Sequence, residues 1–162
     1  MNSNYSTMLL LAIKEIRHDR NVHQGHLAQW AGKSPNAWTK IENGQSPLTT
    51  DAFFGVCAAL AVYPSYMMST VERLVSIFNS ANCLFHSNPL PEGEDDILKL
   101  VVNYFNSRGY EALKLRPYER VSVEANNLFS GTSLPTAVRY CLEPEYRKWI
   151  DDGAPLGAQG LI

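Results

Sequence analysis

The sequence predicts a mainly α protein: a five-helix first part, then a smaller, mostly helical second part. Three observations predict it. Apolar residues recur at helical spacing through almost the whole first half. Serine, threonine and proline stand ahead of these runs, and glycine or asparagine behind them, as at helix ends. The period breaks at His86-Ser87-Asn88-Pro89-Leu90-Pro91-Glu92-Gly93, where two prolines and a glycine sit among polar residues. The expected organisation is thus a domain over 1–85, a linker over 86–93 and a C-terminal region over 94–162.

Leu9, Ala12, Ile13 and Ile16 predict an amphipathic first helix from Met8 to about His18. Leu27, Ala28 and Ala31 give a short second helix from Gln24, which Gly32 ends. Ser34-Pro35 is a serine N-cap with proline at the first helical position. The third helix turns Trp38 and Ile41 inward and stops at Asn43-Gly44. Thr49 or Thr50 caps a fourth helix with Phe53, Val56, Cys57 and Leu60 on one face. Pro64 opens a fifth, with Met67, Val71, Leu74, Val75 and Phe78 inward.

Acids crowd the start of Glu94–Arg108, where the helix dipole favours them. Ile97, Val101, Tyr104 and Phe105 form its apolar face, and Gly109 terminates it. The next stretch reads two ways: a short β-hairpin around Arg116-Pro117, or a helix from Pro117 to Phe129. Ser133-Leu134-Pro135 starts a helix towards Leu142, and Glu145 to Ile150 gives a last short one. The glycine-rich tail from Gly153 to Ile162 is expected to be poorly tied down.

Composition excludes several classes. Of 162 residues 45% are hydrophobic, and the net charge is only −2, which argues against wholesale disorder. Three cysteines are too few, and odd in number, for a disulfide scaffold. No apolar run is long enough to span a bilayer, and Met1 to Thr7 lacks the basic start of a secretory signal. A cytoplasmic protein with no membrane partner is the expectation. Residues 1–80 carry six Lys/Arg against five Asp/Glu; the remainder carries eight against eleven. Affinity for nucleic acid would therefore rest on locally placed charge rather than on a global basic field.

Two short helices joined by a tight turn within a helical cluster are the outline of a helix-turn-helix. From Arg17 the chain reads R-x6-Q-x2-L-A-x2-A-G-x-S-P-x2-W-x2-I-E-N-G. This resembles the λ-repressor/Cro-like, or xenobiotic-response-element, helix-turn-helix family over roughly Leu9 to Phe78. The region after the linker resembles no family. The resemblance implies a transcriptional regulator that binds double-stranded DNA as a homodimer, with the third helix in the major groove. By the same resemblance Asn36 and Lys40 read bases: asparagine can pair with adenine, and lysine can donate to guanine. Gln24, Lys33, Ser34, Thr39 and Asn43 are placed on the DNA backbone, where contacts set register; Thr39 could instead meet a thymine methyl. Gln24 offers its backbone N–H to phosphate while its side chain steadies the recognition helix. Arg17 and Glu42 match a buried ion pair tying the first helix to the third.

The match departs from the family at three places. His23 stands where a small capping residue is usual, which leaves the start of the second helix weakly specified. Gly25 lies in that helix's first turn, at a cost of roughly 1 kcal/mol against alanine. Pro35 takes the first position of the recognition helix.

His18, His23 and His26 lack the accompanying residues of a metal site, so surface or capping roles are expected. Cys57 falls on an apolar helical face and reads as core, and Trp30 as half-buried packing. There is no glycine-rich loop and no nucleophile–base signature, so neither an enzyme nor a cofactor is expected. The competing reading is a helix-turn-helix-shaped protein–protein module, antitoxin-like or an accessory regulator, with little or no DNA binding. In either case the second half would serve dimerisation, a protein partner or effector sensing.

Overall fold

The computed structural model of the chain describes residues 1–125 and 133–157. The described residues are mainly helical. They form two compact units, Met1–Asp95 and Asp96–Ile162.

The first unit runs β1 (Asn2–Asn4), α1 (Tyr5–Asp19), α2 (Gln24–Trp30), α3 (Pro35–Glu42), α4 (Thr50–Ala59), α5 (Pro64–Ser80) and β2 (Leu84–His86). Four of its helices start under a side chain. Asn4 accepts from Thr7 N, His23 from Gly25 N, Ser34 from Ala37 N and Thr49 from Ala52 N. All five helices end alike, in a left-handed residue: Asn21, Gly32, Gly44, Ala61 and Asn82. The next amide folds back on each helix: Val22 on Arg17 O, Lys33 on Ala28 O, Gln45 on Lys40 O, Val62 on Cys57 O and Cys83 on Phe78 O. This is the Schellman closure, which satisfies carbonyls the helix leaves open.

α1 was expected to be amphipathic, but it is buried on nearly every side. Met8, Leu11, Ile13 and Ile16 are inaccessible, and Lys14 and Glu15 are buried with them. α1 packs chiefly on α5, and α2 packs on α3 and α4. The approach of α2 to α4 is close enough to require glycine. A Cβ at Gly55 would stand 2.1 Å from the Trp30 carbonyl oxygen.

The strand pair was not anticipated, since three residues are too few to show alternation. β1 and β2 run parallel, with Ser3 opposite Phe85. The Asp95 carboxylate reinforces the closure, accepting from Ser3 Oγ at 2.8 Å and Thr7 Oγ1 at 2.6 Å, all buried. His86, the first residue of the segment read as a linker, is therefore paired in a strand.

The second unit holds α6 (Asp96–Asn106), α7 (Arg108–Lys114), a single 3-10 turn (Pro117–Glu119), α8 (Thr136–Leu142) and α9 (Pro144–Asp151). Tyr104 centres its core, with ring centroids 5.0 Å from Phe105, 5.0 Å from Tyr110 and 5.3 Å from Tyr140. Two expectations are corrected here. Gly109 does not terminate a helix. It lies in the first turn of α7, because a Cβ there would fall 2.2 Å from the Ile150 carbonyl oxygen. Nor is there a hairpin around Arg116-Pro117 among the described residues. Ser107 caps α7, Tyr110 and Leu113 bury one helical face, and Leu115 is exposed where an alternating strand would need it inside. Of the alternative helix, only the turn Pro117–Glu119 forms within the described residues; its end at Phe129 lies outside them. The last residues of the tail, from position 158, lie outside them as well.

Candidate functional site

α3 is an eight-residue helix whose two sides differ sharply. Trp38, Ile41 and Glu42 are buried; Pro35, Asn36, Thr39 and Lys40 are exposed. Trp38 and Ile41 are three apart and share one side, so Asn36 and Lys40 fall on the other. Gly32, at φ +65°, makes the turn from α2 without strain, and Ser34 caps α3 just ahead of Pro35.

The charge around this face depends on Glu42. It is the sole acid between Asn21 and Thr50 in the sequence, and it is 3% exposed. Arg17 Nε donates to its Oε1 at 3.0 Å, and Gln24 Nε2 donates to its Oε2 at 2.6 Å. Arg17 also reaches Val22 O at 3.4 Å, so one guanidinium joins α1, the turn after it and α3. Burial pushes the Lys14 ammonium below its ordinary pKa. Glu42 opposes that shift by favouring the charge, and Arg17 adds to it. The acid is thus spent internally, and the α2–α3 segment presents Lys33 and Lys40 with no exposed carboxylate.

The residues singled out from the sequence divide into two sets. Asn36 and Lys40 are exposed, Lys33 and Asn43 half-buried, and none has a side-chain hydrogen bond to another described residue. The other three have work within the fold. The Gln24 side chain holds Glu42, Ser34 Oγ accepts from Ala37 N at 3.2 Å, and Thr39 Oγ1 donates to Pro35 O at 3.0 Å. Asn43 sits at the C-terminal end of α3, and Ser34 at the opposite end.

Three details revise the sequence reading. The start of α2 is specified after all. His23 Nδ1 accepts from Gly25 N at 3.1 Å, so imidazole replaces the small capping oxygen. Gly25 leaves room for that ring, since a Cβ there would lie 3.3 Å from Nδ1. Trp30 is about half exposed, and it is the backbone rather than the ring that makes the close packing contact. Its backbone carbonyl meets Gly55, while the residue is 53% exposed and its ring meets His26 edge-on at 6.1 Å. Gly55 itself was missed, although a glycine inside a helical apolar run is the available signal for close approach.

Other reactive side chains are occupied elsewhere. Cys57, Cys83 and Cys141 are buried, and burial pushes the Cys57 thiol up to about 11. Glu119 pairs with Arg116 at 2.9 Å. Among the described residues no three His, Cys, Asp or Glu are grouped to hold a metal ion. No single helix among them is long and apolar enough to cross a membrane. No family model matches the chain, and neither curated proteins nor solved structures gave a match.

Proposed function

We propose that this chain is a sequence-specific DNA-binding protein of the λ-repressor/Cro-like helix-turn-helix kind, acting as a transcriptional regulator. In this reading α1 to α5 form the helix-turn-helix domain, and α3 enters the major groove. One observation carries it: α3 exposes Asn36 and Lys40, and the acid nearest to them in the sequence, Glu42, is buried and engaged by Arg17 and Gln24. A polyanion meets cations and amides there, and no carboxylate. Asn36 pairs with adenine and Lys40 donates to guanine. Lys33, Ser34 and Asn43 hold phosphates, joined by the Gln24 backbone N–H, whose side chain steadies α3 through Glu42. The protein acts as a homodimer, because one motif makes too few contacts and two half-sites lie about one helical turn apart.

A second reading, a protein–protein module, draws on one specific feature. Trp30 and Phe54 are about half exposed, and exposed aromatics suit a protein partner.

The deciding experiment is selection of a duplex from a randomised pool by the full-length protein, followed by anisotropy titration over a salt series. Salt-sensitive binding that prefers the selected duplex over a scrambled one is expected. Asn36→Ala and Lys40→Ala should each cost roughly 1–3 kcal/mol on the selected duplex and relax the preference at one position. Folded protein that binds neither duplex at low salt would overturn the proposal in favour of a protein partner.

A further inference from the structure

Resting on the DNA-binding reading above, we propose that Thr39 is a specificity-determining residue that reads a thymine through its methyl group and holds no phosphate. A phosphate oxygen only accepts hydrogen bonds, so a hydroxyl that holds it must supply its hydrogen. Threonine has one such hydrogen. Here it is committed within the helix, because Thr39 Oγ1 donates to Pro35 O at 3.0 Å.

Ser34, five residues earlier at the cap of the same helix, shows the reverse arrangement. Its Oγ accepts from Ala37 N at 3.2 Å and keeps its hydrogen for an outside acceptor. Two hydroxyls that look equivalent in the sequence are therefore opposite in kind. Ser34 suits phosphate and Thr39 does not.

The same bond sets what Thr39 offers instead. A β-branched side chain has few rotamers in a helix, and turning Oγ1 back to the carbonyl four residues earlier selects one of them. The methyl becomes the free end of an exposed side chain, three residues from Asn36 and adjacent in sequence to Lys40. In the major groove the one apolar mark on a base edge is the C5-methyl of thymine. Methyl against methyl buries apolar surface and asks nothing of the committed hydroxyl. The selected site should therefore contain a thymine whose methyl, rather than its O4, is recognised.

Replacing thymine by uracil removes that methyl and nothing else. With the full-length protein and the selected duplex, one thymine→uracil position should weaken wild-type binding about three- to fourfold, and the other thymines should matter less. Thr39→Val keeps the methyl and loses the hydroxyl; it should bind within about twofold of wild type and retain the thymine preference. Thr39→Ser keeps the hydroxyl and loses the methyl; it should bind thymine and uracil duplexes alike. Circular dichroism of both variants excludes unfolding as the cause. The inference is overturned if Thr39→Val loses affinity equally on every duplex with the salt dependence of wild type, since the neutral hydroxyl then holds a phosphate. It is also overturned if no uracil affects wild-type binding. Wild-type protein that binds no duplex at all refutes the DNA-binding reading itself, and this inference with it.

Discussion

The two units differ in how far arginine side chains help to complete their helices. In the first, the backbone does it: each helix closes through a left-handed residue and an amide that returns to the last turn. In the second, α9 closes in the same way, through Gly153 and the Ala154 amide on Trp149 O, and arginine side chains take up further carbonyls. Arg147 donates to Tyr140 O at 2.9 Å and Cys141 O at 2.7 Å at the end of α8, and Arg116 donates to Ala154 O at 2.6 Å. Arg139 is paired with Glu143 and lies 3.9 Å over the Tyr146 ring. The difference lies in what remains for the surface. Backbone closure consumes no charged side chain, so Lys33 and Lys40 stay available beside α3. The second unit uses its guanidinium groups to hold itself together around the Tyr104 ring cluster.

The sharpest way to break the first unit is the buried network of Arg17, Glu42 and Gln24. Arg17→Met takes away the guanidinium that donates to buried Glu42, leaving it the Gln24 amide and the more distant Lys14 charge, and should cost about 3–5 kcal/mol in urea unfolding followed by circular dichroism. A cost near zero would mean that the α1–α3 tie is dispensable. The second unit should break where its rings meet. Tyr104→Ala removes a fully buried ring from contact with three others and should cost about 3–5 kcal/mol by the same measurement.

Gly55→Ala tests the close helix approach that aligns α2 with α4. The new methyl meets the Trp30 backbone, which has to shift, so a loss of about 1–3 kcal/mol is expected. Reduced anisotropy on the selected duplex should accompany it, because α3 follows α2. Ala61→Gly sharpens the comparison in the opposite direction. Ala61 closes α4 at φ +53°, the one non-glycine, non-asparagine residue among the five closures of this unit. Glycine should raise stability by about 1 kcal/mol, read as a higher Tm. A lower Tm would mean that the Arg20 guanidinium, which donates to Leu60 O at 2.7 Å and Ala61 O at 3.2 Å, depends on alanine there.

Backbone closure also explains which half could be read. Its signals are local: Ser34 before Pro35, Thr49 before the Phe53 face, and Gly32 and Gly44 after short helices all lie within a few residues of what they control. Both ends of α2 and α3 and the start of α4 were therefore legible to within a residue or two. Arg147 acts on carbonyls six and seven positions earlier, in another helix, and no short window shows that. Gly109 was visible but ambiguous, since a glycine after an apolar run serves equally as a stop or as room for another backbone. For the candidate face, Asn36, Thr39 and Lys40 could be placed outward from the spacing of Trp38 and Ile41. The direction of the Thr39 hydroxyl could not, because both of its helical rotamers suit the same sequence.

The strand pair and Asp95 set a timetable for synthesis. Ser3 and Asp95 are 92 positions apart, and Asn2–Asn4 has no strand partner until Leu84–His86 has been made. α2 and α3 need only near neighbours and can form as they leave the ribosome, but the partner that α1 packs on, α5, emerges some sixty residues after it. The most thoroughly buried helix of the unit thus emerges early and is covered late. A pause in translation between α4 and β2 would leave it open to association with neighbouring nascent chains.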